Sequence, residues 1–265
     1  MYSRFAISIR YLKYFLTASN GKGHGVHSPF VFEFITQVLN DVRFFYAFLP
    51  IEDLRTNLLA DTNQLTIETS DIKPPAGNIK KLDINEITRS CGSSRKTGQL
   101  LFRIVNYYSP DSILVLENSL GIDTAYLAAA NTSLQLTTIQ QDKTIAAMAM
   151  KHFQMLELNN INMLVGDYDQ ALARVIKINP KIGLVYIYVN TDYASIMKYF
   201  NQLLSYIQPD SILIFHNIHS SQDMEKAWEE IKINQIVTLT IDLFYMGIVL
   251  FRNENKVKQD FSIRF

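Results

Sequence analysis

Residues 112–127 read Ser112-Ile113-Leu114-Val115-Leu116-Glu117-Asn118-Ser119-Leu120-Gly121-Ile122-Asp123-Thr124-Ala125-Tyr126-Leu127. Residues 113–116 form a continuous apolar run of strand length, bounded by turn formers. From Ile122 the apolar residues follow helical spacing. Strand, tight turn and helix in this order are the layout of a nucleotide-cofactor site in an open α/β sheet. The turn lacks the first glycine that such a site uses, and Glu117 stands there instead.

The same pattern repeats outward. Helix 97–108 leads to strand 113–116 and helix 122–130. Strand 136–139 leads to helix 143–158, strand 162–165 to helix 169–178, and strand 183–187 to helix 193–207. Strand 212–215 leads to helix 222–232, and two β-rich runs, 236–242 and 246–251, close the series. Strands alternating with helices predict a mostly parallel sheet covered on both faces. The last two runs have no helix between them, which predicts an antiparallel terminal hairpin. Residues 1–95 read as a helical extension and 96–265 as the α/β domain.

The extension opens with a helix over 3–17, ended by Asn20-Gly21-Lys22-Gly23. Ser28 followed by Pro29 is a helix start. Phe30, Val31, Phe34, Ile35 and Val38 recur at helical spacing after it. A further helix is predicted over 51–60 and a short strand over 65–69. Residues 71–81, with Pro74-Pro75 and Gly77, read as a loop.

Composition narrows the function classes. The chain has 265 residues, with 25 basic and 25 acidic side chains, so nothing in its net charge calls for nucleic acid. Cys91 is the only cysteine, which excludes an intrachain disulfide framework and fits a reducing, cytoplasmic setting. No apolar run reaches membrane-spanning length. The apolar start Phe5-Ala6-Ile7-Ser8-Ile9 is soon interrupted by Arg10 and Lys13, which argues against a secretory signal.

Several stretches carry a family resemblance. They include His24-Gly25-Val26-His27-Ser28-Pro29-Phe30-Val31-Phe32, Gly98-Gln99-Leu100-Leu101-Phe102-Arg103, Ser119-Leu120-Gly121-Ile122 and Thr124-Ala125-Tyr126-Leu127-Ala128. The others are Ile218-His219-Ser220, Met224-Glu225-Lys226-Ala227-Trp228, Ile241-Asp242-Leu243-Phe244 and Ile263-Arg264-Phe265. On these the chain resembles, over nearly its full length, an O-methyltransferase-like family of class I S-adenosylmethionine-dependent methyltransferases common in Bacteroidetes. The resemblance implies a Rossmann-like, seven-stranded class I methyltransferase sheet with S-adenosylmethionine as cofactor.

The resemblance also shows where this chain departs. The family's cofactor loop resembles acid-x-Gly-Thr-Ser-x-Gly. Here Val115 stands for the acid and Glu117 for the first glycine, while Ser119 and Gly121 keep their places. Glu117 adds bulk and charge beside the expected position of the cofactor's carboxylate. At about 4 Å, two like charges cost roughly 1 to 4 kcal/mol in partly wet surroundings. The alternatives are a rearranged loop with Glu117 in solvent, and a surface glutamate in a turn that binds nothing. Gln140 replaces the acid that takes the ribose hydroxyls. It keeps one acceptor without the charge, or is simply a polar strand end. Asp167 is the best-kept contact, expected at the adenine amino group or as a helix cap.

At the next strand ends Tyr188, His216 and Asn217 replace acids that in relatives hold a divalent metal or position the acceptor, and Thr191 replaces a histidine. These residues are poor ligands for magnesium or calcium, so no metal is expected. His216 with His219, and His24 with His27, lack the spacing of a ligand-bearing helix. His216 is a candidate general base on its ordinary pKa alone. The stiff Asp71-Ile72-Lys73-Pro74-Pro75 segment replaces a glycine loop.

Changes at four or five places that should share one cleft predict a degraded site. The implied function is a pseudo-methyltransferase acting as a binding or scaffold protein, with cofactor binding weak or lost through Glu117, Ser119, Gly121, Gln140 and Asp167. The alternative is an active, metal-independent O-methyltransferase of unknown acceptor. Tyr2, Phe5, Tyr11, Tyr14 and Phe15 lie on too many sides of the first helix for one buried stripe. They are candidates for contact with a protein partner; the alternatives are packing across the sheet domain or a homodimer, ahead of a membrane surface.

Overall fold

Apolar runs alternating with amphipathic segments form the helices and strands of the α/β series near their expected positions. In the computed structural model, which describes residues 1–19, 21–23, 25–69, 78–117, 119–178, 181–189, 192–254 and 257–265, they follow in this order. The first are α1 (Arg4–Thr17), α2 (Pro29–Glu33), a π-helical stretch Phe34–Leu39, α3 (Phe48–Ala60), β1 (Gln64–Thr69), β2 (Asn78–Asp83), α4 (Ile84–Cys91) and α5 (Arg95–Tyr108). Then come β3 (Ile113–Glu117), α6 (Ile122–Ala129), β4 (Leu136–Gln140), α7 (Lys143–Met155), β5 (Ile161–Val165) and α8 (Tyr168–Ile178). The chain closes with β6 (Ile182–Tyr188), α9 (Tyr193–Leu204), β7 (Ile207–His216), α10 (Gln222–Ile233), β8 (Leu239–Asp242), β9 (Met246–Leu250) and β10 (Gln259–Ser262).

The chain groups into two compact units. One comprises residues 1–41, 110–112 and 176–265, the other 42–109 and 113–175. In the second unit β3, β4 and β5 pair in parallel, Ile113 opposite Leu136 and Leu136 opposite Ile161. Every residue of β3 is buried, as its unbroken apolar run predicts. Helices α3 and α5 pack on α6. Phe48, Phe102 and Tyr126 fill that contact, with the Phe48 and Phe102 rings 5.0 Å apart and edge to face. Gly98 lets α5 come this close, because a Cβ there would lie 2.5 Å from the Tyr126 ring.

The sequence reading of 71–81 as loop is corrected in part. Residues 78–83 form β2, antiparallel to β1, with Gln64 opposite Asp83. Lys80-Lys81 are exposed, so this hairpin carries no continuous apolar signal. The Pro74-Pro75 segment lies outside the described residues.

In the first unit the strands are ordered β10-β8-β9-β7-β6. Strands β6 and β7 are parallel, and β9 is antiparallel to both β7 and β8. This is the expected terminal hairpin. Strand β10 pairs in parallel with β8, adding an eighth strand to the main sheet's described strands where seven were expected. Its sequence, Gln-Asp-Phe-Ser, is short and polar, and it is held by long-range bonds. Thr240 Oγ1 donates to Asp260 Oδ1 at 2.6 Å, and the Ser19 N–H donates to the Ser262 carbonyl at 2.8 Å.

Helix α1 starts within a residue of the expected position, at Arg4. The Ser3 side chain accepts from the Ala6 N–H at 3.2 Å. Its inner side packs within the first unit, where Tyr14 is buried and its hydroxyl donates to the Ile263 carbonyl. The Tyr11 ring meets Phe244 edge to face at 5.0 Å.

Candidate functional site

Ligands of parallel α/β sheets bind beyond the carboxyl ends of the strands. In the second unit these ends carry Glu117, Gln140 and, just past β5, Asp167. Glu117 is the last residue of β3, and it is neither in solvent nor a surface turn residue. Its carboxylate is fully buried and collects hydroxyl groups from three elements. Ser119 Oγ donates to Oε2 at 2.8 Å. Thr124 of α6 donates to Oε1, as does Thr138 of β4 at 3.3 Å. Burial pushes the Glu117 pKa up to about 7, helped by the charge of Asp123, while the hydroxyl donors pull it down. The hydroxyl donors do not offset burial, which prevails.

Ser119 also accepts from the Gly121 N–H at 3.2 Å, closing the turn over the glutamate. Gly121 caps α6 with φ +88°, and a Cβ there would lie 2.7 Å from the Phe153 ring. Only glycine suits both the conformation and the space. Gln140 is buried. Its Nε2 donates to the Ser119 carbonyl at 3.3 Å, while Oε1 has no partner among the described residues. Asp167 is exposed, and its Oδ1 caps α8 by accepting from the Gln170 N–H at 3.1 Å. Asn118 lies outside the described residues.

Two supports of this turn escaped the sequence reading. The buried Tyr168 hydroxyl donates to the Glu117 carbonyl at 2.7 Å, and His152 Nδ1 lies 2.8 Å from the Leu120 carbonyl. Burial holds the His152 pKa below its usual value, against the pull of the Leu120 carbonyl, so its ring is neutral at pH 7. These pairs are 51 and 32 residues apart, and no local pattern announces them.

In the first unit the strand ends are aromatic. Tyr186 Oη lies 2.9 Å from His216 Nδ1, and the Tyr188 ring is 4.0 Å from the His216 ring. Burial drives the His216 pKa down to about 3. The imidazole is therefore neutral and too weak a base to take a proton at pH 7. That answers the general-base expectation. The Asn217 backbone turns left-handed, with φ +56°, and its N–H donates to the Tyr245 carbonyl at 2.6 Å. His219 bridges two carboxylates, Nε2 to Asp242 Oδ2 at 2.9 Å and Nδ1 to Glu225 Oε1 at 3.4 Å. Both of its nitrogens are engaged, so it too has no free base. Among the described residues, no three His, Cys, Asp or Glu side chains are placed to hold a metal ion. His24 and Thr191 lie outside the described residues.

Residues 119–218 match the family described as Methyltransferase domain. No curated protein matches the chain. Among solved structures, the fold is similar to SAH-bound methyltransferase PaMTH1 of Podospora anserina, at 9% identity and TM-score 0.59 over 96% of this chain and 98% of that one. The SAM complex of the O-methyltransferase TomG of Streptomyces achromogenes is similar at 17% identity and TM-score 0.54, over 63% of this chain and 87% of that one. The SAH complex of an O-methyltransferase of Bacillus cereus is similar at 15% identity and TM-score 0.52, over 80% and 93%. No described helix is long and apolar enough to cross a membrane. The chain is thus an α/β protein with a mostly parallel sheet and the Rossmann-like fold of the class I methyltransferases.

Proposed function

We propose that the chain is a pseudo-methyltransferase, a binding or scaffold protein on a methyltransferase frame, that holds S-adenosylmethionine weakly or not at all. One observation carries this reading: most polar groups at the ends of β3, β4 and β5, Gln140 Oε1 apart, are already bonded within the fold. Glu117 takes three hydroxyls, Ser119 takes the Gly121 N–H, Tyr168 covers the Glu117 carbonyl, and Asp167 caps its helix. A cofactor would have to compete with these bonds. Within the first unit, the neutral His216 and the bridged His219 supply no free base.

The fit to the cofactor is partial. The Gly121 turn keeps its left-handed form, and the orphaned Gln140 Oε1 suits a ribose hydroxyl. Those two features favour the second reading, an active metal-independent O-methyltransferase. Such an enzyme would rely on proximity and alignment, as the SAM- and SAH-bound structural neighbours make reasonable.

Titration calorimetry with S-adenosylmethionine and S-adenosylhomocysteine separates the two. Binding weaker than about 10 μM, roughly −7 kcal/mol, is expected. Tighter binding, with methyl transfer to a phenol or catechol panel, overturns the proposal. Gln140→Glu is the variant of choice for restoring affinity. Glu117→Gly is not, because it would strip three buried hydroxyls of their acceptor.

A further inference from the structure

Helix α1 has two apolar sides, and only one is used. Its inner side is fixed in the first unit by Tyr14, by Tyr11 on Phe244, and by Arg10, whose Nε donates to Glu225 Oε1 at 2.9 Å. On its outer side Phe5, Ile9, Leu12 and Leu16 are 77%, 53%, 58% and 69% exposed. Their spacing of four, three and four residues is that of the apolar seam of a helix pair. These are not the aromatic residues singled out from the sequence, except Phe5. The helix is fixed by its tyrosines and shows solvent a mostly aliphatic stripe.

We propose that this stripe pairs with the α1 stripe of a second copy of the chain, antiparallel, about a two-fold axis between Ile9 and Leu12. A stripe with 4-3-4 spacing is complementary to itself. Turned end for end, it sets Phe5 against Leu16 and Ile9 against Leu12 of the second copy, and isologous pairing is the commonest way for a patch to be covered. Antiparallel pairing also opposes the two helix dipoles.

The chemistry of the flanks selects this occupant. The positions beside the seam are Ala6, Ser8, Lys13 and Phe15, with one charge among the four. An acidic peptide would find no row of cations. A lipid surface would find only Arg4 and Lys13 on the helix, because Arg10 is already paired with Glu225, whereas membrane-surface helices carry a strongly basic face. A second copy needs no charge at all.

The length of the seam sets the strength. Fourteen residues span about 21 Å. A single helix of that length covers less than the roughly 800 Å² per partner of a stable complex. The dimer is therefore reversible, with a dissociation constant of about 1 to 100 μM.

Sedimentation velocity of the full chain across that range tests it. The expected result is a mass rising from one copy to two. With Ile9→Glu and Leu12→Glu together, two pairs of carboxylates meet at the axis, and dimerisation weakens by at least about tenfold. Both side chains are exposed, so circular dichroism and the melting temperature stay as in the parent. Should that variant lose helix, Phe5→Cys with Leu16→Cys in a Cys91→Ser background gives an independent reading. The antiparallel pair yields a disulfide-linked dimer under mild oxidation, and a protein without it yields none. A single copy at every concentration overturns the proposal. So does a dimer indifferent to both variants, or a monomer that instead pellets with anionic phospholipid vesicles.

Discussion

Two carboxylates, one in each unit, show opposite fates of the same group. Glu225 in the first unit lies near the surface. Burial works against its charge, but the Tyr2 hydroxyl at 2.7 Å, Arg10 at 2.9 Å and His219 hold its pKa below the usual range. Glu117 in the second unit is fully enclosed and has hydroxyls in place of cations, so burial wins and its pKa rises to about 7. A carboxylate with a countercharge is a clasp that works across the neutral range. One with hydroxyl partners alone takes up a proton near pH 7. The difference separates a cluster that fixes a helix from a turn whose charge changes near neutrality.

The comparison would be broken most severely by losing the turn itself. Gly121→Ala adds a Cβ at a left-handed φ and against Phe153. A loss of about 3 kcal/mol or more is expected in denaturant unfolding. A loss under about 1 kcal/mol would mean the turn relaxes freely.

The next effect is a pH slope. The Glu117 pKa is raised in the folded state from an ordinary 4.5 to about 7. Its stability contribution is thus complete below pH 4.5 and is lost as pH rises through 7. The span is at most about 3 kcal/mol. Glu117→Gln should flatten stability over that window and leave the variant more stable than the parent at pH 8. An unchanged slope would show that Glu117 keeps its charge.

His219 gives a smaller effect of the same sign. Burial opposes its charge, but Asp242 and then Glu225 outweigh it and hold its pKa above 6.5. Its contribution is full below pH 6.5 and fades as pH rises through the raised value. Glu225, with a lowered pKa, contributes fully above 4.5 and fades in acid below it. The cluster is therefore strongest between about pH 4.5 and 6.5. His219→Gln should cost about 1 to 2 kcal/mol there and less at pH 9, by thermal melts across pH. Equal cost at both would show a packing role only, through the ring stacked on Phe244.

The smallest change is Tyr2→Phe. The hydroxyl bond to Glu225 lies at the surface, so less than about 1 kcal/mol is expected. Amide exchange along the first turns of α1 should quicken without change elsewhere. Faster exchange in β3 instead would show that the two clusters are coupled.

The sequence by itself determined the order of elements in the α/β series, because each strand and helix there carries its own apolar period. Ends moved by a few residues. Strand β7 begins at Ile207 rather than 212, since Ile207 and Gln208 lie among polar residues that hide the strand. It also placed Gly121 in the turn before α6, where its left-handed φ is a local requirement. The positions of the candidate site were legible too: Glu117, Gln140 and Asp167 do sit at the carboxyl ends of their strands. What those residues do was decided by tertiary structure. Whether Glu117 faces a ligand, solvent or its own loop depends on Thr124 and Thr138, brought to it from another helix and strand. Strand β10 and the His219 cluster likewise rest on pairs tens to hundreds of residues apart, such as Arg10 with Glu225. Local sequence encodes dihedrals and faces. The pKa of a carboxylate is set by whatever surrounds it in space, and that surrounding exists only once the chain has folded.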